Sequence, residues 1–297
     1  MRLHLLAVLP LLALAGTAAS AQTTVSLGLR LGGNRATRAG DNPTFQSLSP
    51  RFGIPVVASA LTQEYTRTGL FAAQVGAVLE VRFGKLSVQS AVLLSQKGAD
   101  QRVSSRNTVP PGPNYNPNYP NQNGVGNSFT QSYHVVTRPN YLEIPINLVY
   151  TSKGDHGFQL FGGPYLAFGV GGQSVVETSY YGLLNTGAYY AGYSYYRSFM
   201  SYVDEYPGDN STGLLQTTPY YLQNTDAYLA RRFDAGLNAG VGYRRGPLQV
   251  QLGYGMGLLN QQPGKGFTLS EGPTPYYHRV AQLTATYFYS LSKPTVQ

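Results

Sequence analysis

Between Arg232 and Asn260 the chain reads RFDAGLNAGVGYRRGPLQVQLGYGMGLLN, with a period of two. Phe233, Ala235, Leu237, Ala239, Val241 and Tyr243 occupy one face, and Asp234, Gly236, Asn238, Gly240, Gly242 and Arg244 the other. After Arg245 to Pro247 the pattern resumes. Leu248, Val250, Leu252, Tyr254, Met256 and Leu258 oppose Gln249, Gln251, Gly253, Gly255 and Gly257. Such alternation predicts two long strands joined by a tight turn. The small and amide residues on the second face favour an apolar side turned to lipid and a polar side turned to a barrel lumen.

Six further segments follow the same rule. In TTVSLGLRLGG, Val25, Leu27, Leu29 and Leu31 face Ser26, Gly28 and Arg30. From Gly69 to Phe83, Phe71, Ala73, Val75, Ala77, Leu79, Val81 and Phe83 point outward, and Gln74, Gly76, Glu80 and Arg82 inward. Leu86, Val88, Ser90, Val92 and Leu94 then oppose Ser87, Gln89, Ser95 and Lys97. YLEIPINLVY sends Leu142, Ile144, Ile146, Leu148 and Tyr150 out, with Glu143 and Asn147 in. FQLFGGPYLAFGVGG alternates least cleanly, and RVAQLTATYFYSL puts Ala281, Leu283, Ala285, Tyr287, Tyr289 and Leu291 outward.

The connections alternate as well. Gly84-Lys85, Ser152 to Gly157 and Arg245 to Pro247 are short, whereas Asn34 to Thr68, Gly98 to Arg138, Gln173 to Arg231 and Gln261 to Tyr277 are long. The pattern predicts an all-β fold: an eight-stranded antiparallel transmembrane β-barrel with short periplasmic turns and four long extracellular loops. Closure is required because lipid offers no partner to the backbone groups of an open edge. Outward Phe83, Tyr150, Phe158, Tyr243, Tyr287 and Tyr289 gather near the turns, with Phe71 and Phe233 near the loops, as interfacial girdles would. The alternative is an exported soluble β-sandwich or lipocalin-like barrel, with the apolar face inward.

The N-terminus and the composition agree with export to an envelope. MRLHLLAVLPLLALAGTAASAQ has the charged start, apolar run and small-residue end of a signal peptide, residues 1–21, which leaves 22–297 as the barrel domain. The chain has no cysteine, so no disulfide can hold it together. Charged residues make up 11%, against about 25% in ordinary soluble proteins. The net charge of +8 comes from scattered Lys and Arg, and without a basic run no nucleic-acid partner is expected.

Four stretches together, YLEIPINLVY, FGGPYLAFGV, RFDAGLNAGVGYR and LTATYFYSL, resemble the outer-membrane beta-barrel domain family of Bacteroidetes, the PorT-family or porin-family proteins. The likeness covers nearly all of the mature chain in outline, and these strands closely. It implies an eight-stranded outer-membrane barrel, for which most members have no assigned activity. The PorT association with gliding and type IX secretion does not carry over on this match, and the long tyrosine-rich third loop departs from compact members.

Where chemistry could reside follows from the faces. Inward Arg30, Glu80, Arg82, Lys97, Glu143, Asp234 and Arg244 would form an interior ion-pair network, since isolated buried charge is costly. The register argues that Arg30, Glu143 and Asp234 lie toward the loops. The rival is a conduction path or ligand site lined by the same residues. Of the mature histidines, His156 falls in a turn, His134 in the second loop, and His278 on the eighth strand near Glu271 and Ser270. No spacing among them makes a triad, so a non-enzymatic protein is expected, with no cofactor and no metal. The second loop carries the Pro/Asn/Gly/Tyr tract NTVPPGPNYNPNYPNQNGVGN. The third carries Tyr180, Tyr181, Tyr189, Tyr190, Tyr193, Tyr195 and Tyr196, side chains suited to a contact surface for glycan or protein. The segment SYYRSFMSYV could form strands rising outside the bilayer. The expectation is a monomer in the outer membrane of a Gram-negative bacterium, in contact with its lipid.

Overall fold

The computed structural model describes residues 23–40, 61–109, 127–183, 189–202, 229–261 and 275–291. The signal segment, residues 1–21, lies outside them. Every element among the described residues is a strand: β1 (Thr23–Gly40), β2 (Leu61–Phe83), β3 (Leu86–Gln96), β4 (Ala99–Val109), β5 (Asn127–Thr151), β6 (His156–Leu183), β7 (Tyr189–Phe199), β8 (Ser201–Tyr202), β9 (Leu229–Ala230), β10 (Phe233–Arg245), β11 (Leu248–Gly257) and β12 (Tyr276–Ser290). β3 and β4 follow one another between β2 and β5, interrupted only at Lys97-Gly98. Counted as one, they join β1, β2, β5, β6, β10, β11 and β12 in a closed antiparallel ring, sealed by β1 against β12.

Two turns of the ring are as short as a hairpin allows. Phe83 pairs with Leu86 and Arg245 with Leu248, which leaves two residues in each loop. Gly84 and Gly246 take φ of 60° and 57°. At the second turn Pro247 follows, so glycine holds the first central position, where a positive φ matches the twist of the flanking strands.

The side chains face as the alternation requires. Leu29 is 72% exposed and its neighbour Arg30 only 4%. The same contrast runs along β10 and β11, where Leu237, Val241, Leu252 and Tyr254 are exposed and Asp234, Asn238, Gln249 and Gln251 buried. The outward run from Phe233 to Tyr243 rises by about 25 Å, at about 3.3 Å per residue and a tilt of about 40°. That is the height of a hydrocarbon-facing band. At its turn end Phe158 meets Tyr243 edge to face at 5.5 Å, and at its loop end Phe168 meets Phe233 at 5.3 Å.

β6, the least regular strand in sequence, alternates cleanly in space. Phe158, Leu160, Leu166 and Phe168 point outward, while Gln159, Phe161 and Tyr165 are buried inside. Two aromatic residues on the inner face obscured the pattern. They also pack over four inward glycines of β10 and β11, Gly236, Gly240, Gly253 and Gly257. A Cβ on Gly236 would lie 2.5 Å from Tyr165 Cε1, and one on Gly240 would lie 2.6 Å from Phe161 Cζ. The glycine stripe is the floor beneath two rings that lean over it from the neighbouring strand, where Tyr165 pairs with Gly236 and Phe161 with Gly240.

The strands run further on the loop side than the sequence predicts. β1 continues to Gly40 and β2 begins at Leu61, inside the expected first loop. β4 and the first half of β5 pair within the expected second loop, from Ala99↔Thr137 to Val109↔Asn127. In the expected third loop β6 runs on to Leu183, and β7 folds back along it from Gln173↔Phe199 to Leu183↔Tyr189. The fourth loop ends two residues earlier than expected, since β12 begins at Tyr276. These extensions escape a search for apolar alternation because their outward residues include Asp100, Arg102, His134, Glu177 and Arg197. The Pro/Asn/Gly tract falls mostly outside the described residues.

Candidate functional site

Near the turn end of the lumen Glu80, 1% exposed, collects the charges. Its carboxylate accepts from Arg82 Nη2 at 3.0 Å, from Arg244 Nη1 at 2.8 and 2.9 Å, and from Gln89 Nε2 at 3.0 Å. Gln89 also donates to Gln249 Oε1 at 2.9 Å, and the Arg244 guanidinium lies 4.5 Å from the Phe288 ring centroid. The residues come from β2, β3, β10, β11 and β12, so the contacts cross the lumen instead of following one strand.

Arg30 occupies the middle, and its hydrogen bonds are all to neutral groups. Nε donates to Thr286 Oγ1 at 3.0 Å, and Nη2 to Gln89 Oε1 and Gln251 Oε1 at 3.3 and 3.2 Å. Above it Gln74 donates to Gln282 at 3.1 Å and Asn34 to Ser95 at 3.2 Å. A cavity of ≈ 10 Å³ lies among Ser95, Lys97, Glu143 and Asn238, room for about one water.

Toward the loops Lys97 is the centre. Nζ reaches Glu143 Oε2 at 2.9 Å and Asp234 Oδ2 at 3.2 Å, and it lies 4.3 Å from the Tyr165 ring centroid. Asp234 Oδ2 also accepts from Tyr165 OH and His278 Nδ1, both at 3.1 Å. Its other oxygen accepts from Gln261 Nε2 at 3.1 Å. Tyr202 packs on Tyr141 with ring centroids 5.7 Å apart. Its hydroxyl lies 3.0 and 2.7 Å from the carbonyls of Asn140 and Gly171. Those carbonyls flank a β-bulge, where the register of β5 against β6 shifts between Asn140 and Tyr141. The third loop thus returns a ring over the lumen.

All seven charged residues singled out in the sequence face this interior. Glu143 and Asp234 meet at the loop end, and Arg30 lies between the two charge clusters instead of joining them. Sequence reasoning put Gln89, Gln249 and Gln251 on the inward face without pairing them to the charges, and it missed Gln261 and the inner aromatic residues Tyr141, Tyr165 and Phe288. Only odd or even position along a strand could have revealed the three aromatic residues, and Gln261, beyond the end of β11, carries no such signal. His278 meets Asp234; Glu271 and Ser270 lie outside the described residues. His156, expected in a turn, is instead the exposed first residue of β6, paired with Arg245 and bonded to Asp155 at 2.7 Å.

Beyond the apolar band β2, β4, β5, β6 and β7 form a sheet with two faces. Its inner face packs Val103, Tyr133, Val135 and Val176 into a small core, with Tyr65 against them. On its outer face His134 bridges neighbouring strands, with Nδ1 2.8 Å from Glu177 Oε2 and Nε2 2.9 Å from Asp100 Oδ1. Partial burial alone would lower the His134 pKa, but the two carboxylates outweigh it and hold it above the usual histidine value. Tyr181, Tyr193 and Tyr195 are exposed on the same face, beside Phe199. Tyr180, Tyr189, Tyr190 and Tyr196 belong to the same hairpin, paired along the backbone with Gly192, Leu183, Gly182 and Val176; their side chains lie outside the described residues.

Comparison with known proteins agrees with this architecture. The family model described as "Outer membrane protein beta-barrel domain" matches residues 20–261. No curated protein gives a significant sequence match. Among solved structures the chain is similar to Ail, the attachment invasion locus protein of Yersinia pestis, crystallised with the heparin analogue sucrose octasulfate. Identity is 9%, with 90% of this chain and 99% of that one covered, and the TM-score is 0.26. It is also similar to the outer membrane channel DcaP of Acinetobacter baumannii, at 9% identity, with 91% and 98% covered and a TM-score of 0.20. Superpositions this loose carry no argument, and the family match rests on sequence across most of the chain. A closed antiparallel ring, apolar outside and polar within, is what that match requires, and the chain belongs to the outer membrane protein beta-barrel domain family.

Proposed function

We propose that the protein is an eight-stranded transmembrane barrel with a side-chain-filled lumen, which works through the sheet it raises above the membrane. The turns Gly84-Lys85, Ser152 to Asp155 and Gly246-Pro247 face the periplasm, and β4, β7 and the loop-side halves of β2, β5 and β6 stand outside the cell. The observation that carries the reading is the cross-lumen bonding of Glu80 with Arg244 and of Lys97 with Asp234. A narrow barrel bonded across its bore is a stiff post, not a pipe. The resemblance of YLEIPINLVY and its companion strands to the Bacteroidetes PorT-like barrels supports the same reading. In it the protein is exported by a cleaved signal peptide, is monomeric and carries no catalytic machinery.

The outward ladder of Tyr193, Tyr195 and Phe199, with Tyr181 across from it, supports a contact surface for an extracellular glycan or protein. Tyrosine presents a large amphipathic ring at low entropic cost. Two measurements test this. In planar bilayers the purified protein should give no steady single-channel current, and a stable conductance that changes in Glu143→Ala or Arg30→Ala would establish the small-solute pore instead. Removing residues 180–206 should abolish binding to a glycan array or to host-surface extracts while the barrel stays folded. Retained binding would exclude the hairpin as the contact surface.

A further inference from the structure

Among the described residues, the loop end of the lumen holds a cation with no anion. Arg38 is the last inward residue but one of β1, paired across the backbone with His278 of β12. It is 5% exposed. Its guanidinium carbon lies 4.1 Å from the Tyr276 ring centroid, so an aromatic face covers one side of the plane. Nε and Nη2 have no hydrogen-bond partner, nor has Nε2 of His278, which is 1% exposed. Arg67 adds a second positive charge, with Nη1 donating to the Arg38 carbonyl at 2.8 Å.

The identity of the unpartnered nitrogens matters more than their number. Nε–H and Nη2–H are the two parallel donors on one edge of a guanidinium, the edge that accepts two oxygens of a carboxylate or phosphate side by side. The other charged groups named above have their partners: Glu80 has two arginines, Lys97 two carboxylates, and Arg30 its amides and a threonine. A buried guanidinium edge without an acceptor is costly, and Asp234, the carboxylate that holds the facing His278, is already bonded to His278, Lys97, Tyr165 and Gln261.

We propose that Arg38 and His278 form a binding site for a small oxoanion at the loop end of the lumen. The anion takes the side-on fork of Arg38, and His278 Nε2 lines the same site with its tautomer fixed from behind by Asp234. The bound group is a carboxylate or a tetrahedral oxoanion carried by a solute or a lipid headgroup. It would tie β1 to β12 at the seam that closes the ring. This goes beyond the reading of the barrel as a surface post, and it stands if the hairpin binds nothing.

The test is anion-linked stability of the full folded chain in a zwitterionic detergent. Thermal unfolding is followed by the heat-modified shift in gel mobility, while sodium acetate, phosphate or sulfate replaces chloride at constant ionic strength. At least one oxoanion should raise the midpoint saturably where chloride does not. Arg38→Gln should abolish the rise, and Arg38→Lys, which keeps the charge but not the fork, should weaken half-saturation at least tenfold. A response to acetate alone identifies a carboxylate, and one to phosphate and sulfate a tetrahedral group. No saturable response in the unaltered protein, or an equal response in Arg38→Gln, overturns the site. Should the variants fail to fold, the side-chain Nε–H resonance of Arg38 in the unaltered protein decides: it must move and saturate with the active anion, and a stationary signal overturns the proposal.

Discussion

Replacing Lys97 with methionine is the sharpest test of a filled lumen. Nζ contacts Glu143 at 2.9 Å and Asp234 at 3.2 Å, and the side chains of Lys97 and Asp234 are 1% and 0% exposed. Methionine keeps most of the volume and removes the charge. Two carboxylates are then left facing each other without their cation. Removing one member of a buried ion pair costs about 3–5 kcal/mol. With an m-value of about 2 kcal/mol per molar urea, the unfolding midpoint should fall by roughly 1.5–2.5 M. Urea titration of the detergent-folded protein, read by tyrosine fluorescence and by gel mobility, measures this. The variant that also carries Glu143→Gln and Asp234→Asn has no charge to strand and should recover most of the loss. The reasoning fails if Lys97→Met alone lies within about 0.5 kcal/mol of the unaltered protein, a difference below which buried-pair arguments have no force. It fails as well if the triple variant is less stable than the single one. Either result would mean that water, not the carboxylates, solvates Lys97, which is the condition of an open pore.

Three other outcomes follow from the faces and the packing. Leu252 is 57% exposed amid outward Val241 and Leu283, so Leu252→Arg should cost about 2–4 kcal/mol in lipid vesicles; a neutral result in vesicles would place this face in water. A Cβ on Gly253 would lie 2.9 Å from Phe161 Cζ, so Gly253→Ala should destabilise by about 1–3 kcal/mol. Adding Phe161→Leu should return part of that loss, and an additive double variant would refute the ring-over-glycine account. For His134, whose pKa is raised by Glu177 and Asp100, the stabilisation is full below the unfolded value of 6.5 and is lost as pH rises through the higher folded value. Amide exchange in β4, β5 and β6 beyond the apolar band should therefore quicken between neutral and alkaline pH, and His134→Gln should remove that dependence.

The strand faces inside the apolar band were legible because two solvents enforce them. Lipid demands Leu27, Leu29 and Leu31 on one side, a narrow lumen tolerates Ser26, Gly28 and Arg30 on the other, and a period of two records both demands in the sequence. The ring closure, the short turns and the inward position of all seven charges follow from that record. Three features were not legible. The extensions Ala99–Val109, Asn127–Thr137, Gln173–Leu183 and Tyr189–Phe199 lie beyond the apolar band, so Arg102, His134 and Arg197 are as acceptable there as leucine, and no periodic signal survives. The pairing of charges was also hidden: Lys97 joins Glu143 and Asp234 through the stagger of strands distant in sequence, which places groups from β5, β10 and the break between β3 and β4 at one height. The glycine stripe that marks β10 and β11 from the outset had a meaning only the closed ring could supply. Its absent side chains are filled by Phe161 and Tyr165 from β6, because in a barrel this narrow one wall must be bare where the opposite or adjoining wall is large. The sequence alone therefore determined which face of each strand meets lipid, while the tertiary structure decided which interior groups meet one another, since that depends on curvature and stagger that no single strand encodes.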